Sequence, residues 1–282
     1  MSAAGPLSAV LHDIDWRLYT RLLRAFESRR GFRLTYDRGT LEIRSPLWGQ
    51  EEPSEKRTEV DPMTTSALAA SAPPAVLHDI DWHIYTRLLR AFEGRRRFRL
   101  TYDRGSLEIM SPLWEHEGPA DLLGCFVVVL TEELAMSRRA GRSVTLRRQR
   151  KRRGLEPDNC YWLVSAPLVQ GKRHLDLRVD PPPDLAIEVD VTSSSLDRMS
   201  IYAALGVPEV WRLSTGGIAF HILEAGMYQV RPSSLSFPQL VSADLPPFLA
   251  QWGQTDETVI VCQFRDWVRQ QMLQRPMPPS AP

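Results

Sequence analysis

The chain has 282 residues, 43% hydrophobic and 24% charged, with a formal net charge of +1; this excludes wholesale disorder and collagen-like repeats and confines any argument from basic or acidic character to local clusters. No run approaches the ~18 apolar residues of a membrane span, the candidate around Leu122–Leu130 being short and flanked by acids. The N-terminus lacks a secretory pattern, and Cys125, Cys160 and Cys262 form neither a CxxC nor a zinc spacing, so a reducing cytoplasm is the expected location.

The chain repeats itself. Val10–Trp16 returns as Val76–Trp82, and the match runs on to Trp48 and Trp114 at a constant offset of 66. Six pairs differ over this stretch: Arg17/His83, Leu18/Ile84, Ser28/Gly94, Gly31/Arg97, Thr40/Ser106 and Arg44/Met110. Two units are too few for a solenoid, which needs about three or more. Residues 1–48 are therefore read as a partial duplicate of the domain start. The stretch 49–75, rich in Glu, Ser, Thr, Ala and Pro, reads as a linker, and 76–282 as the domain proper. Met63 would make a natural beginning, and removal of residues 1–62 is expected to leave folding intact. The rival reading docks the first copy as an extra lobe or swaps it between chains.

Within the second copy, Trp82, Tyr85, Leu88, Leu89 and Phe92 share one helix face over Asp81–Glu93, with Asp79 or Asp81 as N-cap. Phe98–Tyr102, the turn Asp103-Arg104-Gly105 and Leu107–Met110 form a hairpin. A long helix is expected over Pro119–Arg139 and a strand over Ser143–Arg150. Tyr161–Val164 and Asp184–Val191 read as further strands, and Ser195–Leu205 as a helix stopped by Gly206 and Pro208. Val210–Leu213, Ile218–Leu223 and Met227–Val230 are strands, and Gln263–Leu273 is a terminal helix. The order defines an α/β domain with a mixed central sheet flanked by helices.

Carboxylates mark the chemistry. On the strand after Pro183, Asp184, Glu188 and Asp190 point to one face while Leu185, Ile187 and Val189 point to the other. Three acids on one face repel unless a cation sits among them, and a hard divalent metal would serve; an ordinary solvated strand face gives the same pattern. Asp158 stands at the entrance of another apolar strand, within Glu156-Pro157-Asp158. Glu108 lies between two apolar residues on the hairpin, where an exposed hairpin position is the simpler reading.

The ordered set resembles the Uma-type restriction endonuclease family, a branch of the PD-(D/E)XK nuclease superfamily. Its residues are Glu108 followed by Ser111, Pro112 and His116; then Glu156-Pro157-Asp158; then Pro183-Asp184-Leu185-Ala186-Ile187-Glu188-Val189; then a helix ending in Tyr202; and then Gly206-Val207-Pro208-Glu209-Val210-Trp211. The likeness spans roughly residues 76–230. It implies a restriction-endonuclease-like core and hydrolysis of DNA phosphodiester bonds with Mg²⁺ or Mn²⁺. By position it implies Asp158 and Glu188 as metal-binding carboxylates, Glu108 as a further acid at the metal edge and Asp184 as support. It also places His116 at the start of the long helix, to contact phosphate or relay a proton; a surface histidine is the alternative. A metal so held would lower the pKa of a bound water and neutralise charge on the phosphate.

Two positions depart from the family. Asp190 stands where the superfamily places a lysine, and Arg198, four residues before Tyr202, stands where many members carry one. Arginine can hold phosphate and transition-state charge but cannot act as a general base. A catalytically degenerate nucleic-acid-binding or protein-interaction module is therefore the second reading. The first copy repeats Glu42, Ser45 and Pro46 but has Gln50 in place of the histidine and no counterpart of Asp158, Glu188 or Arg198, so it forms no second active site.

Arg147, Arg148, Arg150, Lys151, Arg152 and Arg153 form the one dense basic run, just before Asp158. It reads either as a lip that follows a DNA backbone or as a solvated loop. The strands after Val210 offer a surface for a homodimer. No Gly-rich phosphate loop appears and no small-molecule cofactor is expected.

Overall fold

The computed structural model describes residues 8–11, 14–27, 33–44, 75–92, 99–110, 114–142, 144–190 and 196–276. The expected linker lies outside them, apart from Ala75. The first copy comprises β1 (Ser8–Leu11), α1 (Trp16–Glu27), β2 (Arg33–Asp37) and β3 (Thr40–Arg44), an antiparallel sheet in the order β1-β3-β2. The second comprises β4 (Ala75–Leu77), α2 (Trp82–Phe92), β5 (Arg99–Asp103) and β6 (Ser106–Met110), in the order β4-β6-β5. Sequence periodicity misses β1 and β4, because three or four residues carry too little alternation to register.

Local chemistry explains why the two copies fold alike. Asp81 caps α2, its Oδ1 accepting from Ile84 N at 2.8 Å. Each hairpin turns through Arg-Gly with both residues at positive φ, 43° and 87° at Arg38-Gly39 and 46° and 113° at Arg104-Gly105. Tight two-residue hairpins require that geometry. Helix and sheet of both copies share a single apolar cluster, with Ile14, Leu22 and Leu41 of the first beside Leu77, Tyr85, Leu88 and Tyr102 of the second. Asp15 Oδ2 also meets Arg87 Nη1 at 2.7 Å. The first copy thus docks on the second as a lobe.

Next come α3 (Trp114–Glu133), β7 (Arg139–Ala140), β8 (Leu146–Arg148), β9 (Arg153–Leu155) and β10 (Asn159–Trp162). After them run α4 (Ala166–Val169), β11 (Leu185–Asp190), α5 (Arg198–Leu205), β12 (Glu209–Ser214), β13 (Gly217–Glu224) and β14 (Met227–Arg231). The chain closes with α6 (Pro246–Leu249) and α7 (Glu257–Gln270). A six-stranded mixed sheet, β14-β13-β12-β11-β10-β7, forms the centre, with β11 and β12 parallel across the α5 crossover. α3 and α7 cover one face, where Phe126 stacks on Phe264 at 4.2 Å over Leu185, Ile187 and Val189. α5 covers the other through Ile201, Tyr202 and Leu205, against Trp162 and Ala186. Each such buried side chain contributes about 1.5–3 kcal/mol. β14 is an open edge of this sheet, with Met227 and Val230 exposed.

The structure adds a second sheet, β4-β6-β5-β9-β8, to the central one. The basic run does not continue one strand: it reverses at Arg152, φ 51°, so that β8 and β9 form a hairpin and β9 pairs with β5. Gly154 makes that pairing feasible, since a Cβ there would lie 2.3 Å from the Tyr85 hydroxyl. Two helices begin earlier than expected. α3 starts five residues before Pro119, and α7 starts at Glu257 behind Asp256, which accepts from Thr258 N at 2.8 Å.

Candidate active site

Strand alternation assembles the site. On β5, Leu100 and Tyr102 face the shared apolar cluster, while Arg99, Thr101 and Asp103 face the central domain. Glu108, opposite Thr101 in the β5–β6 register, is fully buried rather than an exposed hairpin residue. The first residue of α5, Arg198, reaches into the seam between the two sheets. Its Nη1 donates to Thr101 Oγ1 at 2.5 Å, and its Nη2 to the Glu156 carbonyl and to Glu188 Oε2, both at 2.9 Å. Its Nε lies against Glu188 Oε1. One turn along α5, Tyr202 donates to the same Glu188 Oε2 at 2.7 Å. Burial works against the charge on Arg198, but Glu188, Tyr202 and Glu108 outweigh it and hold the guanidinium above its ordinary pKa. Burial and then Glu188 push the Tyr202 phenol up.

A second arginine–acid pair lies beside the first. Asp158 pairs with Arg99 and accepts from Val189 N at 2.6 Å, which ties the start of β10 to β11. Between the pairs sits Glu156, which accepts from Thr145 Oγ1 at 2.8 Å and Leu100 N at 3.4 Å. Burial pushes its carboxyl up, against the opposing pull of Thr145, Leu100, Arg99 and Arg198.

Asp158, Glu188 and Glu108, the expected metal acids, thus converge on one seam. The oxygens of Glu188 face Arg198 and Tyr202, and those of Asp158 face Arg99 and the Val189 amide. Among the described residues no three His, Cys, Asp or Glu side chains are grouped to hold a metal ion. Held by Arg198 and Arg99, these carboxylates do not present open oxygens to a divalent cation in this arrangement.

Asp184 stands apart from the seam. Its Oδ2 accepts from Leu163 N, Ser165 N and Ser165 Oγ at 2.6, 3.0 and 2.8 Å, so it builds the turn into α4. Asp190 is paired with Arg212 of β12. His116 lies in the first turn of α3, and its side chain is outside the described residues.

The basic run divides. Arg153 ties the second copy to the central domain, its Nε at 2.8 Å from Asp103 and its Nη1 at 2.7 Å from the Ser200 carbonyl. Arg148 Nε donates to the Leu177 carbonyl at 3.1 Å. Arg147, Arg150, Lys151 and Arg152 are exposed. Arg147 joins a cleft of about 1020 Å³ in which Arg90, Arg139, Arg142, Lys172 and Arg173 surround Glu156, Asp158 and Arg99. Sequence reasoning missed Arg90, Arg139, Arg142, Lys172 and Arg173 because they come from three separate segments outside the basic run. Arg99 was the legible one: it sits in phase with Thr101 and Asp103 on an otherwise apolar strand.

A mixed sheet between helices, with acids of β6, β10 and β11 gathered at the foot of α5, defines a restriction-endonuclease-like domain. The model of the Uma2 family, described as "putative restriction endonuclease", matches residues 84–259, and the chain belongs to that family. The match starts inside α2 and leaves the first copy outside. No curated protein matches the chain. Among solved structures it is similar to the crystal structure of a "putative nuclease belonging to DUF820" from Anabaena variabilis, with 14% identity, 64% of this chain and 97% of that chain covered, and a TM-score of 0.38.

Proposed function

We propose that this protein is a DNA endonuclease that grips the phosphate backbone in the basic cleft and hydrolyses it at the seam between β6, β10, β11 and α5. The observation that carries the reading is the cleft itself: Arg90, Arg139, Arg142, Arg147 and Arg173, drawn from four segments, line it around the acids Glu156 and Asp158. Arg147 and Arg173 neutralise backbone charge, Lys172 being held by Asp180. Glu156 exchanges the proton that hydrolysis requires. Arg99 and Arg198 hold negative charge close to the scissile phosphate. Mg²⁺ or Mn²⁺ dependence belongs to the same proposal, and it requires Arg99 and Arg198 to release Asp158 and Glu188. A reducing cytoplasm fits the three free cysteines, and the β14 edge is the surface for a homodimer.

The two ion pairs favour a second reading, binding without cleavage. Supercoiled plasmid incubated with Mg²⁺, Mn²⁺ or chelator, beside Glu188→Ala, separates the two. Metal-dependent nicking that disappears in the variant is the expected result. Absence of nicking in every metal, with DNA still retarded in a gel, leaves the binding module in its place. Neither nicking nor binding removes both readings. Arg173→Ala should flatten the dependence of log K on log salt by about 0.9, one phosphate contact.

A further inference from the structure

The seven residues Arg33 to Gly39 are identical to Arg99 to Gly105, and none of the six differing pairs falls among them. In the second copy this segment makes most of the attachment to the central domain. Tyr102 and Asp103 pair with Gly154 and Arg153 of β9, and Arg104 N donates to the Arg152 carbonyl at 2.9 Å. Asp103 meets Arg153, Thr101 meets Arg198, and Arg99 meets Asp158. The attachment is short and polar: the apolar cluster beneath β5 contains residues of the two copies and none of the central domain.

The first copy carries the same segment uncovered. Among the described residues β2 is an outer strand of its sheet, with no counterpart of β9. Thr35 is exposed where Thr101 is buried, and the Asp37 side chain is 73% exposed against 15% for Asp103. Its geometry is already that of the docked copy. The Tyr36 hydroxyl donates to the Ile14 carbonyl at 2.9 Å, as the Tyr102 hydroxyl does to Ile80 at 2.9 Å.

We propose that the β2 edge of the first copy is a second docking surface for β9 of the same chain, so that the two copies exchange on one central domain. Docked, the first copy presents Thr35 and Asp37 in place of Thr101 and Asp103. The thirty residues 45–74 can span up to about 100 Å. An intrachain partner acts at an effective concentration near the millimolar range, which favours the chain's own β9 over a neighbour's. The exchange requires the second copy to lift away from β9.

Disulfide trapping tests this in the full chain carrying Cys262→Ser. Since Arg104 and Arg152 form a hydrogen-bonded pair, Asp103 and Arg153 form the closer, non-hydrogen-bonded kind, whose Cα separation suits a disulfide. Asp103→Cys with Arg153→Cys reports the docked second copy. Asp37→Cys with Arg153→Cys reports exchange. The expected result is an intrachain 37–153 disulfide, mapped by peptide mass, whose yield rises about tenfold when Thr101→Val removes the second copy's partner for Arg198. A 103–153 disulfide without any 37–153 product overturns the proposal. So does a 37–153 bond that forms only between chains, or a yield that Thr101→Val leaves unchanged.

Discussion

The first and second copies show one sequence in two environments. Their local geometry is the same: Tyr19 stacks on Tyr36 and Tyr85 on Tyr102, both at 4.6 Å, and Trp16 and Trp82 approach those rings at 5.7 Å. Their burial is not. Tyr102 is fully buried and Tyr36 half-buried, while Trp16 is 63% exposed and Trp82 half-buried. Turn and aromatic packing are thus properties of the segment, whereas the contacts of Arg99, Thr101 and Glu108 belong to the domain that meets them. A candidate-site residue here is an ordinary strand residue with the right neighbour.

The sharpest way to break the comparison is to remove that neighbour contact. Arg99→Ala leaves Asp158 buried without its counter-charge, and the loss is expected to be about 3–5 kcal/mol in urea unfolding. Adding Asp158→Asn should recover part of it; full recovery is not expected, since Asp158 Oδ2 also holds the Val189 amide. If Arg99→Ala costs under about 1 kcal/mol, the pair does not join the second copy to the central domain.

A smaller effect is expected when the chain is truncated to begin at Met63. The shared cluster narrows the expectation that residues 1–62 are dispensable. Without Ile14, Leu22 and Leu41 the α2 face and β4 lose apolar cover, for which the exposure of one large side chain, about 2–3 kcal/mol, is a fair scale. The central domain should keep its fold, because its own two clusters include no residue of the first copy. Thermal unfolding followed by circular dichroism checks both: a Tm lowered by about 4–10 °C with native secondary structure is expected. An unchanged Tm would make the contact between copies inconsequential.

Much of this was legible from the residues. Alternation on the strand after Pro183 placed Glu188 correctly, on the face that meets α5, and the spacing from Arg198 to Tyr202 put both side chains on the helix face that meets it. What the residues could not show was who neutralises whom. Three acids on one strand argued for a shared cation. In the structure Asp184 serves a turn, Asp190 pairs with Arg212 and Glu188 with Arg198, each settled by a segment distant in the chain. The basic run divides for the same reason: Arg148 and Arg153 are held by the Leu177 and Ser200 carbonyls and by Asp103, while Arg147, Arg150, Lys151 and Arg152 are exposed. Charge density along a sequence does not distinguish a staple from a binding surface.

The smallest expected effects make the cleanest comparison, because they concern one residue type at equivalent positions. Asp103→Ala strips Arg153 of its carboxylate partner while that guanidinium stays 14% exposed and bonded to Ser200. A loss of about 1–2 kcal/mol is expected, between the surface and the buried ion-pair limits. Asp37→Ala removes an aspartate whose pairing with Arg38, 91% exposed, is open to water, so its cost should stay within about 0.5 kcal/mol. The two variants differ in environment and not in sequence, and urea unfolding of both under one condition reads that environment directly. Equal losses would mean that the first copy already spends part of its time docked on β9, where Asp37 takes the place of Asp103 beside Arg153.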